Sequence, residues 1–363
     1  MLLSAAPSLT DAQIVTAPGS GAQVIQTQNG LPQVNIARPS GAGVSVNTYS
    51  QFDVQKPGAI LNNSSALVQT QQAGFINGNP NLAAGQSAKI IVNQVNSNSP
   101  SQLRGYLEVA GRKAEVVVAN GSGIVVDGGG FINTTRAILT TGSPIIGANG
   151  SLNGFNVTGG NITVQGAGLN AGNIDQVDLI ARAVQANAAI YANNLNVVTG
   201  ANQVDHDTLA ATPIAPQGAA SAGGGATSGV SIDVSLLGGM YANRIYLVGT
   251  ENGVGVSTKG VIAAQAGDFT LTTEGKLVLA GKTTASGNLV VNARDGVENS
   301  GTTYGQQSAV VNAAGALTNS GTLVAQQNLS VNAGSVASTG TLGAGINHDG
   351  SIAQTGDLSV AAV

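Results

Sequence analysis

Two short segments contain residue types that could do chemistry. In the first, Asp205-His206-Asp207, a histidine between two carboxylates could bind a metal ion or transfer a proton. The triplet lies in a low-complexity segment, and the only other histidine is His348, about 140 residues away. The sequence therefore predicts neither a metal site nor an acid–base pair at His206.

The second segment, Gly275-Lys276-Leu277-Val278-Leu279-Ala280-Gly281-Lys282-Thr283, imitates a phosphate-binding loop. That loop has four residues between its glycines and opens a helix, whereas here five residues separate them and Leu-Val-Leu is typical of a strand. We therefore predict no nucleotide site and no cofactor. Carboxylates such as Glu108 and Glu115, or Asp175 and Asp178, are scattered, and an acidic groove of the kind used by carbohydrate-active enzymes stays an alternative.

Composition indicates which elements must carry any function. The 363 residues include 52 Gly, only 13 Lys+Arg and 17 Asp+Glu, and no Cys, which excludes disulfides. Apolar residues make up 42% and aromatic residues 3%, so the core must consist of small and branched side chains that favour strands. The net charge of -4, with no basic cluster, argues against a nucleic-acid partner, and no apolar run is long enough for a transmembrane segment.

Internal repeats dominate the last hundred residues. Val-Val-Asn-Ala occurs at 290–293 and 310–313, and Ser-Val-Asn-Ala occurs at 330–333. Turn sequences of the form Asn-Ser-Gly-Thr lie between them at a similar spacing. A unit of about twenty residues with two or three short strands cannot bury its apolar face alone, but stacked units bury a continuous core. The repeat predicts an all-β fold, a parallel β-helix with about twenty residues per coil.

The pattern extends upstream with less regularity. Ile190-Tyr191-Ala192-Asn193 is echoed fifty residues later by Met240-Tyr241-Ala242-Asn243. Residues 203–230 between them are rich in Gly, Ala and Pro and predict a loop that leaves the rod. Residues 175–190 fit an amphipathic helix, but the twenty-residue offset from Val164 to Val184 favours coil strands.

The N-terminal hundred residues are irregular and suit a cap over the first coil, since an open sheet edge needs a cover. In them, Val44, Val46, Phe52 and Val54 form an alternating segment that could pack on that coil.

Two short motifs carry a resemblance to a known family. Asn79-Pro80-Asn81-Leu82 follows Gly74-Phe75-Ile76-Asn77, and a second motif falls on Asn120-Gly121-Ser122-Gly123-Ile124. Together with 102–116 and 127–134, they resemble the secretion domain of two-partner secretion exoproteins, the group of filamentous haemagglutinins, haemolysins and contact-dependent growth-inhibition effectors. The family motifs are N-P-N-L and N-P-N-G-I, so the second departs from the pattern, with Gly for Pro and Ser for the second Asn.

The resemblance implies a right-handed β-helix with an N-terminal β cap and extra-helical β excursions. It divides the chain into a secretion domain at 1–250 and the start of haemagglutinin-type repeats at 251–363. It also implies a monomer exported through the periplasm to the cell surface by an outer-membrane transporter whose periplasmic POTRA domains recognise it. The implied protein is a non-enzymatic secretion module of a growth-inhibition effector or, alternatively, of an adhesin or haemolysin, with effector parts beyond residue 363.

The two motifs leave their own role open. Proline fixes one φ angle and asparagine side chains bond nearby backbone, so each motif predicts a rigid turn. Such a turn could close a coil, or it could be what the transporter reads. If it only closes a turn, its loss costs about 1 to 2 kcal/mol of stability.

Overall fold

The computed structural model describes residues 13–214 and 229–362. In these ranges the chain forms strands joined by turns, with no helix. Most strands pair in parallel with strands one coil later, which builds a rod and confirms the predicted all-β parallel β-helix. Accordingly, the described residues contain no helix long and apolar enough to span a membrane.

The largest sheet covers two faces of the rod. Apart from β1, the strands within each face stack in parallel, and the long strands β36 and β38 run across both faces and join them. The strands of this sheet are β1 Ile14–Thr16, β4 Val44–Phe52, β8 Ile90–Val95, β9 Ser101–Leu103, β11 Ala114–Asn120, β12 Ile124–Val126, β14 Thr134–Thr140, β17 Asn161–Val164, β19 Gln176–Ala181, β20 Ala183–Ala186, β22 Asn194–Thr199, β25 Val230–Val234, β27 Arg244–Gly249, β28 Gly255–Thr258, β30 Phe269–Thr273, β31 Leu277–Leu279, β33 Leu289–Ala293, β34 Val297–Asn299, β36 Ala309–Asn319, β38 Leu329–Ser338 and β40 Leu358–Ala362.

The second sheet forms the third face. Its first two strands pair antiparallel, and the following strands pair in parallel along the rod. They are β2 Gln23–Gln26, β3 Pro32–Asn35, β5 Ala59–Asn63, β10 Tyr106–Gly111, β13 Gly129–Ile132, β18 Leu169–Ala171, β21 Ala189–Ala192, β26 Gly239–Ala242, β29 Val261–Ala264, β32 Lys282–Ala285, β35 Thr302–Gly305, β37 Thr322–Ala325 and β39 Thr341–Ala344.

Antiparallel strands cap the N-terminal end, as predicted. β1 pairs antiparallel with the end of β4, while β4 itself pairs in parallel with β8. The predicted alternation of 44–54 is wrong in one respect. Val44 and Val46 lie in an outer cluster, whereas Phe52 and Val54 lie in the inner core. The register of β4 against β1 skips Ser50, and such a bulge moves the following side chains to the other face.

The C-terminal repeats stack in the register that their spacing predicts. Val291 pairs with Val311 and Val311 with Val331, and all three side chains are buried in the inner core. The neighbouring residues face outward, where Asn332 donates to Asn312 and Asn312 to Asn292, at 3.0 and 2.9 Å. Equal coil lengths therefore produce both a core column and an amide ladder.

A column of glycines lines one corner of these coils. A Cβ at any of them would overlap with the backbone oxygen of a glycine one coil earlier, so no side chain fits. The column explains the glycine of the repeated turn sequences, and its members are Gly260, Gly281, Gly301, Gly321 and Gly340.

Gly301→Ala is expected to lower the free energy of unfolding by about 2 kcal/mol, since overpacking forces the backbone apart. Gly172→Ala is the matched control, because Gly172 is exposed and no heavy atom lies within 4 Å of a Cβ there. Urea denaturation followed by circular dichroism measures both changes. Equal stability of the two variants would show that the corner tolerates a methyl group.

The upstream coils confirm strands instead of a helix at 175–190, where β19 and β20 lie. Tyr191 pairs with Tyr241, as the fifty-residue echo predicts. The offset from Val164 to Val184 is wrong as a register, because Val164 pairs with Ala186. That coil is two residues longer than the C-terminal ones, so spacing alone misplaces the pair.

Two excursions leave the rod. One is the antiparallel hairpin of β6 (Val68–Thr70) and β7 (Gly74–Ile76). The other is a four-stranded antiparallel sheet of β15 (Ser143–Ile146), β16 (Leu152–Val157), β23 (Asn202–Asp205) and β24 (Ala211–Pro213). The predicted loop at 203–230 therefore begins as paired strands, which is a correction, and its part at 215–228 lies outside the described residues.

Candidate functional site

The first motif forms a tight turn between the β7 hairpin and β8. The Oδ1 atom of Asn79 accepts a hydrogen bond from the backbone N–H of Asn81 at 2.9 Å, and the N–H of Leu82 donates to the Asn79 carbonyl at 3.1 Å. Pro80 occupies the exposed tip, where its fixed φ suits the turn. The motif is therefore the rigid turn that the sequence predicts.

Asn79 also holds parts of the chain that lie far apart in sequence. Its Nδ2 atom donates to the carbonyl oxygens of Ile36 and Asn62, both at 2.9 Å, and its own N–H donates to the Ser64 carbonyl at 2.7 Å. Asn79 is 1% exposed. Both amide hydrogens are thus used inside the fold, and they connect the residue that follows β3 to β5.

Asn81 adds hydrogen bonds beside those of Asn79. Its Nδ2 atom donates to the carbonyl oxygens of Ile36 at 3.1 Å and Gly21 at 3.2 Å. Leu82 buries its side chain, so the turn is fixed by an apolar anchor as well as by amides. The whole first motif therefore fastens the N-terminal cap to the first coil.

The second motif repeats this geometry one coil later. The N–H of Ser122 donates to the Oδ1 atom of Asn120 at 2.9 Å, and the N–H of Gly123 donates to the Asn120 carbonyl at 3.0 Å. Asn120 is 1% exposed, and its Nδ2 atom donates to the Ser99 carbonyl and to Ser101 Oγ, both at 3.0 Å. Substitution of Pro and Asn by Gly121 and Ser122 leaves the turn intact.

Ser122 takes the place of the second asparagine of the family motif and, like Asn81 in the first motif, bonds a distant backbone carbonyl. Its hydroxyl donates to the Ser97 carbonyl at 2.6 Å. Gly123 has φ +115°, in the region that favours glycine, and Ile124 anchors the turn in the inner core. A polar groove of about 380 Å³, lined in part by Asn96, Gly121 and Pro144, opens beside this turn.

Further buried asparagines surround the two motifs, and neither motif predicts them. Asn63 Nδ2 donates to the carbonyl oxygens of Ala88 and Arg112, both at 2.9 Å, and Asn93 Oδ1 accepts from the Tyr49 hydroxyl at 3.0 Å. Burial raises the pKa of Tyr49 well above its ordinary value. The available signal was asparagine inside or at the end of an apolar strand, as at Asn93 in β8 and Asn63 in β5. Neutral amides of this kind hold backbone in place and offer no nucleophile.

The other chemically suggestive residues serve different parts of the fold. Glu108 accepts hydrogen bonds from the backbone N–H groups of Gln71 and Gln72 in the β6–β7 turn. The imitation phosphate loop contains strand β31, as predicted. The described residues contain no group of three or more His, Asp or Glu side chains that could hold a metal ion.

The placement of His206 in a loose loop is wrong. The structure puts it in the tight turn between β23 and β24, where it is 6% exposed. Its ring contacts Glu115, which precedes it by 91 residues. A contact so remote in sequence leaves no local signal.

A family model described as the TPS secretion domain matches residues 12–279. The chain is 60% identical over 354 residues to the tRNA nuclease CdiA-2 of Burkholderia pseudomallei (strain 1026b), a match that covers 98% of this chain and 11% of that protein. It is 50% identical over 289 residues to Toxin CdiA of Yersinia pestis, which covers 79% of this chain and 8% of that protein. The chain thus spans about a tenth of the length of these curated relatives.

A solved structure shares the architecture. The crystal structure of the filamentous hemagglutinin secretion domain superposes with a TM-score of 0.68 at 28% sequence identity, and the match covers 96% of this chain and 100% of that one. This chain therefore shares its overall fold with that secretion domain.

Proposed function

Because this chain belongs to the family of TPS secretion domains, we propose that it is the secretion and targeting module of a large exported bacterial surface protein. In this proposal an outer-membrane transporter of the two-partner type recognises the chain through its periplasmic POTRA domains. The exported protein reaches the cell surface or the medium. The match to residues 12–279 is the observation that supports the proposal.

We further propose that the exported protein is a contact-dependent growth-inhibition toxin of the CdiA type. Identity of 60% over nearly the whole chain to a CdiA protein, against 28% to the hemagglutinin domain, favours this class over an adhesin. The nuclease or toxin activity in the relatives' names is then assigned to the parts of those proteins outside the matched tenth. We also propose that the secretion domain ends at residue 250 and that the haemagglutinin-type repeats begin at residue 251.

An adhesive function would be favoured by exposed aromatic rings along one flank. Tyr191, 50% exposed, stacks on Tyr241 with ring centroids 5.3 Å apart. The other strongly exposed aromatic ring among the described residues, that of Phe75, lies on the β6–β7 hairpin. Two separate rings do not form a continuous binding face, so the secretion function is the one we argue.

The burial of the two motifs suggests whether the transporter binds them before or after the chain folds. Both hydrogens of Asn79 Nδ2 and both of Asn120 Nδ2 are used by intramolecular acceptors, and each residue is 1% exposed. A partner that binds these amides must therefore do so before the chain folds. Folding then withdraws the same groups from the partner, and this releases the chain.

The expected result is that the transporter's periplasmic domains bind the folded chain at least tenfold more weakly than the chain freshly diluted from urea. They should also slow its refolding, because they compete for the motif amides. The double variant Asn79→Ala/Asn81→Ala should be slowed less by the transporter domains than the natural chain, because only the amides of the second motif remain for them to bind. Tyrosine fluorescence measures refolding with and without these domains.

Asn292→Ala/Asn312→Ala is the matched control, because it removes two amides of the outer ladder far from the motifs. This variant should be slowed as much as the natural chain. If the motif variant is slowed equally, the motifs act only in folding. Equal binding to the folded chain would mean that recognition uses the folded surface.

A further inference from the structure

The four-stranded excursion sheet lies on the outer face of the rod over β11, β14, β19 and β22. Phe155 and Val204 of the sheet share an apolar cluster with Ile138 and Val198 of the rod. The turn between β23 and β24 carries His206, and Leu209 of this turn packs against the cluster. A hairpin held by a small outer cluster depends on what fastens its tip.

Both ring nitrogens of His206 face carboxylate oxygens. Nε2 lies 2.6 Å from Glu115 Oε1 on β11, and Nδ1 lies 2.7 Å from Asp207 Oδ1 in the same turn. The backbone N–H of His206 also donates to the Asn153 carbonyl at 3.1 Å. Ionised carboxylates only accept hydrogen bonds, and a neutral imidazole has a single N–H. The imidazolium form is therefore the one that satisfies both contacts.

The charged groups around the His206 ring also favour the imidazolium form. Arg136 on β14 donates through Nε to Asp178 on β19, and its Nη1 atom lies 3.8 Å from Glu115 Oε2. Arg136 Nη2 also donates to the His206 carbonyl at 2.8 Å. One arginine does not balance two largely buried carboxylates, and a positive His206 completes the balance.

The two aspartates of the turn, Asp205 and Asp207, are not among the buried carboxylates whose charge His206 balances. Asp207 is 87% exposed, so solvent screens its charge. Asp205 accepts from the N–H and hydroxyl of Thr208 at 2.8 and 2.7 Å, and these bonds hold its pKa below the ordinary value. Asp205 therefore stays ionised while His206 titrates.

We propose that His206 is a proton-dependent latch that fastens the β23–β24 hairpin to the rod. The protonated ring bridges Glu115 and Asp207 and neutralises the cluster. Loss of the proton leaves an excess negative charge beneath the hairpin and one ring nitrogen facing a carboxylate without a hydrogen. The hairpin then opens, while the coils below it stay folded.

The direction of the pH effect follows from the contacts. Burial lowers the pKa of His206, but the hydrogen bond and charge of Glu115 and the hydrogen bond of Asp207 outweigh burial and Arg136, so the pKa is raised. A raised pKa in the folded state means that the latch contributes its full stability below the unfolded value of about 6.5. This contribution is lost as the pH rises through the folded pKa.

Hydrogen exchange of 202–213, measured by mass spectrometry between pH 5.5 and 9, tests the latch. After correction for intrinsic exchange, protection of this segment should fall at least tenfold as the pH rises through the His206 pKa. Proton NMR of the two histidine rings measures that pKa in the same samples. The coil strand β33 should keep its protection throughout.

His206→Gln should have low protection that does not change over this range, and His348→Gln, at the exposed second histidine, should behave as the natural chain. Glu115→Gln should lower the His206 pKa and move the loss of protection to lower pH, which keeps the test valid if His206→Gln does not fold. A His206 pKa at or below 6.5, or protection of 202–213 that is independent of its titration, would overturn the latch.

Discussion

Val311→Asp is expected to unfold the C-terminal coils while the earlier coils stay folded. Val311 is fully buried between Val291 and Val331, and an unpaired carboxylate there costs more than about 4 kcal/mol. In a rod each coil contacts only its neighbours, so the loss is local. Hydrogen exchange should show protection lost across 309–362 and retained in β27 and β30.

Val310→Asp is the matched control for this prediction. Val310 is the adjacent residue of the same type, but it faces outward and is only partly buried. This variant should keep protection close to that of the natural chain. Uniform loss of protection along the whole rod in Val311→Asp would contradict the nearest-neighbour picture and indicate one cooperative unit.

Asn79→Ala is expected to lower the free energy of unfolding by about 3 kcal/mol, since it removes two buried hydrogen bonds and the bond that closes the turn. This exceeds the 1 to 2 kcal/mol expected from a turn alone. Pro80→Ala, at the exposed tip of the same motif, should cost no more than about 1 kcal/mol. Urea titrations of the two variants give the comparison. Equal costs would mean that the Asn79 amide contributes little to folding, and its role would then lie in recognition.

The strands of the Val-Asn-Ala repeat, from 289 to 333, could be predicted down to the register because the coils between them have one length. Each strand of the Val-Asn-Ala repeat pairs with its copy, so the spacing in sequence equals the offset in space. Farther upstream this equality fails. Val164 pairs with Ala186 because that coil has two extra residues, and a bulge at Ser50 reverses the faces of 44–54.

Long-range polar contacts could not be predicted from the sequence. The motifs predicted two rigid turns, and both are present, but the acceptors of the Asn79 amide lie 43 and 17 residues earlier. The pairing of β23 with β16 joins strands about fifty residues apart. The repeat spacing of the sequence does not predict an antiparallel pair of this kind. The burial of His206 depends on that pairing, so it could not be foreseen.

The glycine column also constrains how such a rod can change over generations. Each glycine of the column lies against the backbone oxygen of the residue one coil earlier, so Gly281, Gly301 and Gly321 present the same backbone surface to the coil that follows. An exchange between two repeats in phase would insert or delete one whole coil without creating a new kind of junction. An exchange out of phase would place a side chain against a backbone oxygen and disrupt stacking. Length differences between strains should therefore come in multiples of about twenty codons, each changing the reach of the rod by about 4.8 Å.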